Sequence, residues 1–240
     1  MHILITGTSR GIGHSICELL LEKGHSVTGT SRSSNTPFPN NQHYTHLKCD
    51  LAIEEEVENL KGVFHGENIP EVLINNAGMF EEAQFDISDE DWLENWDKTL
   101  QVNLRSAALL SKWALNTWTK ADIEGRLINI SSRAGYRGDT GEYASYAASK
   151  GGMVAFTKSI ARSFGKHGIT AYTIAPGFVD TDMAQGSIEV YGSDYLTKDL
   201  ALDSIAPPGQ IAEITLLLAE GKLTHATGQT FHVNSGSYLI

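Results

Sequence analysis

Ile3-Leu4-Ile5-Thr6-Gly7-Thr8-Ser9-Arg10-Gly11-Ile12-Gly13 is the stretch that decides how this chain folds. An apolar run breaks into a glycine-rich turn. Ile12, Ile16, Leu19 and Leu20 then recur at helical spacing until Lys23-Gly24 closes the pattern. The reading is a buried strand, a tight turn and a helix. Glycines in such a turn let the backbone approach a pyrophosphate, and the helix N-terminus behind them offers N–H donors and the positive end of a dipole. The spacing is Gly-x-x-x-Gly-x-Gly, not the commoner Gly-x-Gly-x-x-Gly. Its place after an N-terminal apolar strand favours dinucleotide binding over a plain turn.

The same alternation continues outward from that segment. Further short apolar runs at 27–30, 45–49, 72–74, 127–130, 170–175 and 229–233 read as strands. Between them lie helical stripes: Ile53, Val57, Leu60 and Phe64; then Trp92, Trp96, Leu100, Leu104, Ala107 and Ala114; then Met153, Phe156, Ile160 and Phe164; and a short helix at 211–219. Ser88-Asp89-Glu90-Asp91 resembles a capping box ahead of the second stripe. Strands separated by helices imply a largely parallel seven-stranded sheet with right-handed crossovers and helices on both faces. That is an α/β, doubly wound Rossmann-type fold, expected here as one domain over residues 1–240. Residues 182–208 show no clear element and are expected to form a substrate lid.

The 240 residues are 41% hydrophobic and 20% charged, ordinary for a globular protein, and carry a formal net charge of −11. That balance argues against a nucleic-acid partner, which needs a basic stripe. Cys17 and Cys49 stand in no metal or redox spacing and read as small core residues. The nine histidines are scattered without a His-Glu-x-x-His, so no metal is expected. No apolar run approaches bilayer-spanning length and the chain opens directly on a strand, so no membrane association and a cytoplasmic location are expected.

Tyr146-Ala147-Ala148-Ser149-Lys150 places a phenol and an ammonium four residues apart, on one face of a helix. A nearby cation favours the phenolate, so Lys150 is expected to lower the pKa of Tyr146 and make the pair a proton-transfer device. A surface Tyr–Lys pair at helical spacing is the competing reading.

The glycine turn, then Asn75-Asn76-Ala77-Gly78, then Tyr-x-x-x-Lys, in that order, resemble the short-chain dehydrogenase/reductase family. The resemblance extends to Asn103, to Asn129-Ile130-Ser131-Ser132, to Pro176-Gly177-Phe178-Val179-Asp180-Thr181 and to Gly228-Gln229-Thr230-Phe231-His232-Val233-Asn234. It implies an NAD(P)-dependent oxidoreductase that interconverts a carbonyl and an alcohol. Tyr146 is then the acid or base. Lys150 tunes it and holds the nicotinamide ribose. Ser132 polarises the carbonyl, and Asn103 holds a water that links Lys150 to solvent. The interval from Ser132 to Tyr146 is slightly longer than the family's, which leaves Ser131 as the alternative. The implied coenzyme contacts are Gly7, Ser9, Arg10, Gly11, Ile12 and Gly13 in the turn; Ser31 and Arg32; Asp50 and Leu51 at the adenine; Asn76, Ala77 and Gly78; Tyr146 and Lys150; and Pro176, Gly177, Val179 and Thr181. Asp50 also reads as a helix cap ahead of Ile53.

By the same resemblance Ser31 stands where an acid would bind the ribose hydroxyls of NAD. With Arg32 and Arg10 nearby, NADP(H) is favoured over NAD(H), because guanidinium grips phosphate bidentately. Residues 228–240 are similar to those of bacterial beta-ketoacyl-acyl carrier protein reductases, which makes a 3-oxoacyl thioester the leading substrate. Docking an acidic carrier on an acidic chain requires a local basic patch, such as one built on Arg133 and Arg137. Phe80, Tyr136, Arg137, Tyr143, Phe178 and Met183 are candidate pocket residues. The family often forms homotetramers, or dimers, through the long helices and last strand. The rival functions are a dinucleotide-binding sensor or interaction protein without turnover and an NAD-dependent alcohol or sugar dehydrogenase; the complete Asn103, Ser132, Tyr146 and Lys150 set favours an enzyme over the sensor.

Overall fold

The computed structural model describes residues 1–181 and 196–239. β1 (His2–Thr6), β2 (Ser26–Ser31), β3 (Tyr44–Lys48), β4 (Val72–Asn75), β5 (Arg126–Ile130), β6 (Thr170–Pro176) and β7 (Thr230–Val233) form a parallel sheet in the order β3-β2-β1-β4-β5-β6-β7. Every strand lies within one residue of its expected bounds at either end. Side chains alternate across the sheet, and both faces are filled. On one face Ile3, Ile5, Ile74 and Ile128 meet Ile16 and Leu20 of α1 (Gly11–Glu22), together with Ile211 and Leu216 of the last helix, Pro208–Ala219. On the other, Leu4, Leu73 and Leu127 meet a second cluster. That cluster draws Val57 from α2 (Glu54–Asn59), Leu110 and Trp118 from α4 (Ser106–Ala121) and Ile160 from α6 (Ala144–Phe164). The remaining helices are α3 (Asp89–Leu100) and the single turn α5 (Ala134–Arg137); the last helix is α7.

Two of the expected stripes are corrected. Ile53 is 47% exposed, because it is the extended residue that precedes α2, while Val57, Leu60 and Phe64 are buried as expected. The long helix begins at Ser88, whose hydroxyl accepts from the Asp91 N–H. It then contains a π-helical turn, Gln101–Arg105, between α3 and α4. The surplus residue advances the helix face by about 100°. Trp92, Trp96, Leu100 and Leu104 therefore lie half-buried, and the deep row past the π turn is Ala107, Leu110, Ala114, Leu115 and Trp118.

Trp118 is fully buried against the edge of the second cluster, and its indole N–H donates to the Pro70 carbonyl at 2.6 Å. Its ring lies so close to Gly125 that a Cβ there would stand 2.1 Å away. Trp118→Ala should lower the unfolding free energy by ~3–5 kcal/mol, read from urea denaturation. A loss under about 1 kcal/mol would show that this helix does not anchor the sheet.

Candidate active site

The strand order reverses direction between β1 and β4, and a crevice opens there beyond the carboxyl ends of the strands. The glycine turn leaves β1 on one side and Asn75–Gly78 leaves β4 on the other. Thr6 Oγ1 accepts from the backbone N–H groups of Asn76 and Ala77, both at 3.1 Å. The Asn76 amide returns bonds to the carbonyls of Thr6 (2.9 Å) and Gly7 (3.0 Å). A Cβ on Gly13 would stand 2.0 Å from the Gly7 carbonyl oxygen and 2.3 Å from Asn76 Nδ2, so only glycine lets α1 come this close. Gly7 itself holds φ +77. The N-terminus of α1 has no side-chain cap at Arg10 and no acid in its first turn. A helix start without a first-turn acid suits an anion at its N–H groups. These residues fit a dinucleotide pyrophosphate.

The other implied coenzyme residues border the same end of the sheet. Ser9 and Arg10 are exposed in the turn, and Ile12 is half-buried behind it. Thr181 comes over the turn, so that its Cγ2 would lie 3.4 Å from a Cβ on Gly11. Ser31 ends β2, buried, with Arg32 exposed next to it. Asp50 forms a turn with the Ala52 N–H (3.0 Å), and the residue that caps α2 is Ile53, so the cap reading of Asp50 is set aside. Leu51 is buried; its carbonyl accepts from Ser106 and Gln101. Pro176 ends β6, the Gly177 N–H donates to Val233, and Val179 is buried.

At the ends of β5 and α6 lies the second half of the crevice. Lys150 is 3% exposed and its ammonium donates to the Ile130 carbonyl at 2.9 Å. Burial pulls its pKa down to about 8. Tyr146 is half-buried one turn earlier, with Lys150 Nζ 5.8 Å from its ring centroid. Here the structure departs from the expectation: burial pushes the phenol up to about 12, the Ser132 hydroxyl and Arg133 pull it back, and Asp139 raises it. Ser131 is buried with its hydroxyl committed to the Lys150 carbonyl (2.8 Å), whereas Ser132 faces Tyr146 and accepts from the Ala134 N–H (3.1 Å). Gly135 permits this approach, since a Cβ there would meet the Lys150 and Gly151 backbone at 2.8 Å.

Asn103 occupies the π turn, fully buried. Its side chain accepts from the Met79 N–H (2.8 Å) and donates to the Met79 carbonyl (3.0 Å) and to Ser149 Oγ (3.1 Å). Asn103 Oδ1 and Lys150 Nζ both lie 3.3 Å from where a Cβ on Gly78 would be, so glycine keeps the space between them open. Phe80 stacks on Tyr143 (4.0 Å) and meets Tyr146 edge-on (4.8 Å), forming an aromatic wall. Phe178 lies under the Arg133 guanidinium at 4.4 Å. Tyr136 turns away to Thr230 and His232 of β7, and Met183 lies outside the described residues. Arg133 is 6% exposed and Arg137 exposed, so the expected basic patch loses its first member to the interior. Within the expected lid segment the Asp180 N–H donates to the Ala206 carbonyl (3.0 Å) and the Ala206 N–H to the Phe178 carbonyl (3.3 Å), across the Val179–Ala206 bridge; residues 182–195 lie outside the described residues.

A crevice that can seat a dinucleotide beside a serine, a protonated phenol and an ammonium has the equipment of a nicotinamide-dependent oxidoreductase. The family model for short chain dehydrogenase matches residues 1–191. The chain belongs to that family, the short-chain dehydrogenases/reductases, and acts as an NAD(P)-dependent oxidoreductase on carbonyl and CH–OH groups. It is 35% identical to the 3-oxoacyl-[acyl-carrier-protein] reductase FabG of Vibrio cholerae, over 99% of this chain and 97% of that protein. To FabG of Escherichia coli it is 32% identical, with the same coverage. Among solved structures it superposes on 4-hydroxyisoleucine dehydrogenase with NADH (TM-score 0.88, 28% identity, 98% of each chain). It also superposes on a variant actinorhodin polyketide ketoreductase with NADPH (TM-score 0.86, 28% identity, 99% of this chain and 97% of that one). Among the described residues no helix is long and apolar enough to cross a membrane.

The buried ammonium makes stability depend on pH. The unfolded chain holds the Lys150 proton up to about 10.5, while the folded chain releases it near 8. The unfolded state therefore binds more protons across that window, and stability rises with pH through it. Lys150→Met should remove this rise in urea-unfolding free energy between pH 8 and 9, below the range in which the buried Cys17 and Cys49 thiols act in the opposite sense. An unchanged slope would show that Lys150 is not the group responsible.

Proposed function

We propose that the chain is an NADP(H)-dependent reductase of a 3-oxoacyl thioester, with Tyr146 as the general acid. The observation that carries this reading is the Ser132 hydroxyl set against the protonated Tyr146 phenol, one helical turn from the buried Lys150 ammonium. Reduction of a carbonyl requires that form: a proton must be delivered to the oxygen as the carbon takes up hydride. When bound, the reduced nicotinamide supplies that hydride. Ser132 donates to the carbonyl oxygen as negative charge develops there. Tyr146 then gives its proton to the same oxygen, leaving an alcohol and a phenolate. Lys150, three-sided in its donors and still cationic below about pH 8, steadies the phenolate and reaches the nicotinamide ribose. Asn103 is assigned a water in the space that Gly78 keeps open, through which the phenolate is reprotonated.

The substrate class follows the two FabG relatives, both named as reductases of 3-oxoacyl groups on acyl carrier protein. NADP(H) follows from Ser31 at the end of β2, where no acid repels a 2′-phosphate, and from Arg32 and Arg10 beside it. Residues 182–208 are assigned as the lid. A cytoplasmic homotetramer is the proposed working form, supported by the half-exposed edge strand β7 and the half-buried Trp92–Trp96 stack on α3.

Tyr146→Phe should bind NADPH as the parent does and lose ~10²–10⁴-fold in NADPH oxidation with an acetoacetyl thioester. Parental turnover in that variant would remove Tyr146 from the acid's role. Arg32→Ala should weaken NADPH about tenfold, with NADH nearly unaffected, in fluorescence titration. Equal effects on the two coenzymes would remove Arg32 from recognition of the 2′-phosphate.

A further inference from the structure

At the phosphate end of the crevice lies a set of polar side chains that this chemistry leaves unused. The register of β2 and β3 sets Tyr44, His46 and Lys48 opposite Val27, Gly29 and Ser31. His46 Nε2 lies 2.9 Å from the Ser33 carbonyl and 3.5 Å from Ser31 Oγ. Its Nδ1 lies 3.3 Å from the Tyr44 hydroxyl, which in turn is 2.7 Å from Thr8 Oγ1. A carbonyl only accepts, so Nε2 carries the proton and donates to Ser33. Nδ1 is then an acceptor within reach of the Tyr44 O–H, and Tyr44 shares a hydrogen bond with the Thr8 hydroxyl, which also reaches the Thr30 carbonyl at 3.4 Å.

The result is a connected set of hydrogen bonds through Thr8, Tyr44, His46 and Ser33. It joins the glycine turn to the segment after β2. Gly29 makes room for it: a Cβ there would stand 2.3 Å from the Tyr44 oxygen and 2.7 Å from Thr8 Oγ1. Phe38 closes the outside, stacked on His14 at 4.6 Å and edge-on to Tyr44 at 5.0 Å. The Ser33 carbonyl is held by His46 Nε2 and by the Ser31 hydroxyl (3.2 Å), and the trans Ser33–Ser34 peptide turns the Ser34 N–H away from both donors. Two exposed cations stand at this end of the sheet: Arg32, next to Ser31, and Lys48, which β-pairing places across from Ser31.

Building on the NADP(H) reading, we infer that His46 is a positioning residue for coenzyme recognition: by holding the Ser33 carbonyl it aims the turn after β2 at a 2′-phosphate. His46 does not touch the coenzyme. It acts through the turn, and Lys48 adds a cation that sequence spacing hides seventeen residues from Ser31.

The test is fluorescence titration of NADPH and NADH into the parent, His46→Ala and His46→Gln proteins, with steady-state kinetics. His46→Ala should raise the NADPH Kd about five- to tenfold and the NADH Kd less than about twofold, the KM for NADPH following while kcat holds. Glutamine can donate one end of its amide to Ser33 and accept at the other, so His46→Gln should recover most of the loss. Unchanged NADPH affinity in His46→Ala, equal losses for both coenzymes, or no recovery in His46→Gln would overturn the inference. A parent protein that binds NADH as tightly as NADPH would instead refute the NADP(H) reading, and it would do so before any variant is made.

Discussion

The side chain of Asn76 holds the two lips of the crevice together. β1 and β4 are adjacent in the sheet but their connections depart in opposite directions, and nothing in the strand ladder continues past Thr6 and Asn75. Beyond that point the backbone carbonyls of Thr6 and Gly7 would be left without donors close to the interior. Asn76 supplies both, and Thr6 repays with its hydroxyl to two amides of the opposite lip. Each bond is worth only about 1 kcal/mol net, yet losing one costs the desolvation of the abandoned group as well. The glycine requirement at position 13 follows from this knot, because the helix start must fit against it. The position of the phosphate turn, and so of everything that faces it, is therefore set by an amide on the neighbouring strand.

A second organising effect is burial, acting on both titratable groups of the reaction centre in opposite directions. Desolvation favours the neutral form of each, so the phenol climbs and the ammonium falls. The protein answers the two costs differently. Lys150 receives a single carbonyl from β5, enough to hold its direction. Tyr146 receives the Ser132 hydroxyl and the field of Arg133, a guanidinium itself laid on the face of Phe178. Burial thus leaves the phenol protonated at neutral pH and makes the ammonium the readier of the two to release its proton.

Much of this was legible in the residues. Strands buried on both faces write themselves as short apolar runs, which is why all seven were placed within a residue. The glycine turn and the Tyr146–Lys150 spacing are local and need no tertiary knowledge. What stayed hidden depended on distance or on solvent. The π turn has no composition of its own, so the stripe through Trp92 and Leu104 was read with one phase where the helix has two. Arg133 looks like a surface charge until β6 and Phe178 cover it. The direction of the Tyr146 shift turned on burial outweighing a cation, a comparison that spacing alone does not contain. The order of Ser131 and Ser132 was open until the first was found bonded to the Lys150 carbonyl.

The π turn also has a bearing on how this scaffold can change. By inserting one surplus position at Asn103 it acts as a clutch between α3 and α4. The outer stretch carries stacked tryptophans toward the surface, while the inner stretch serves the sheet. Because the two run on separate phases, substitutions that reshape the outer face leave the inner register untouched. Surface diversification and core conservation can therefore proceed along one continuous rod without interfering.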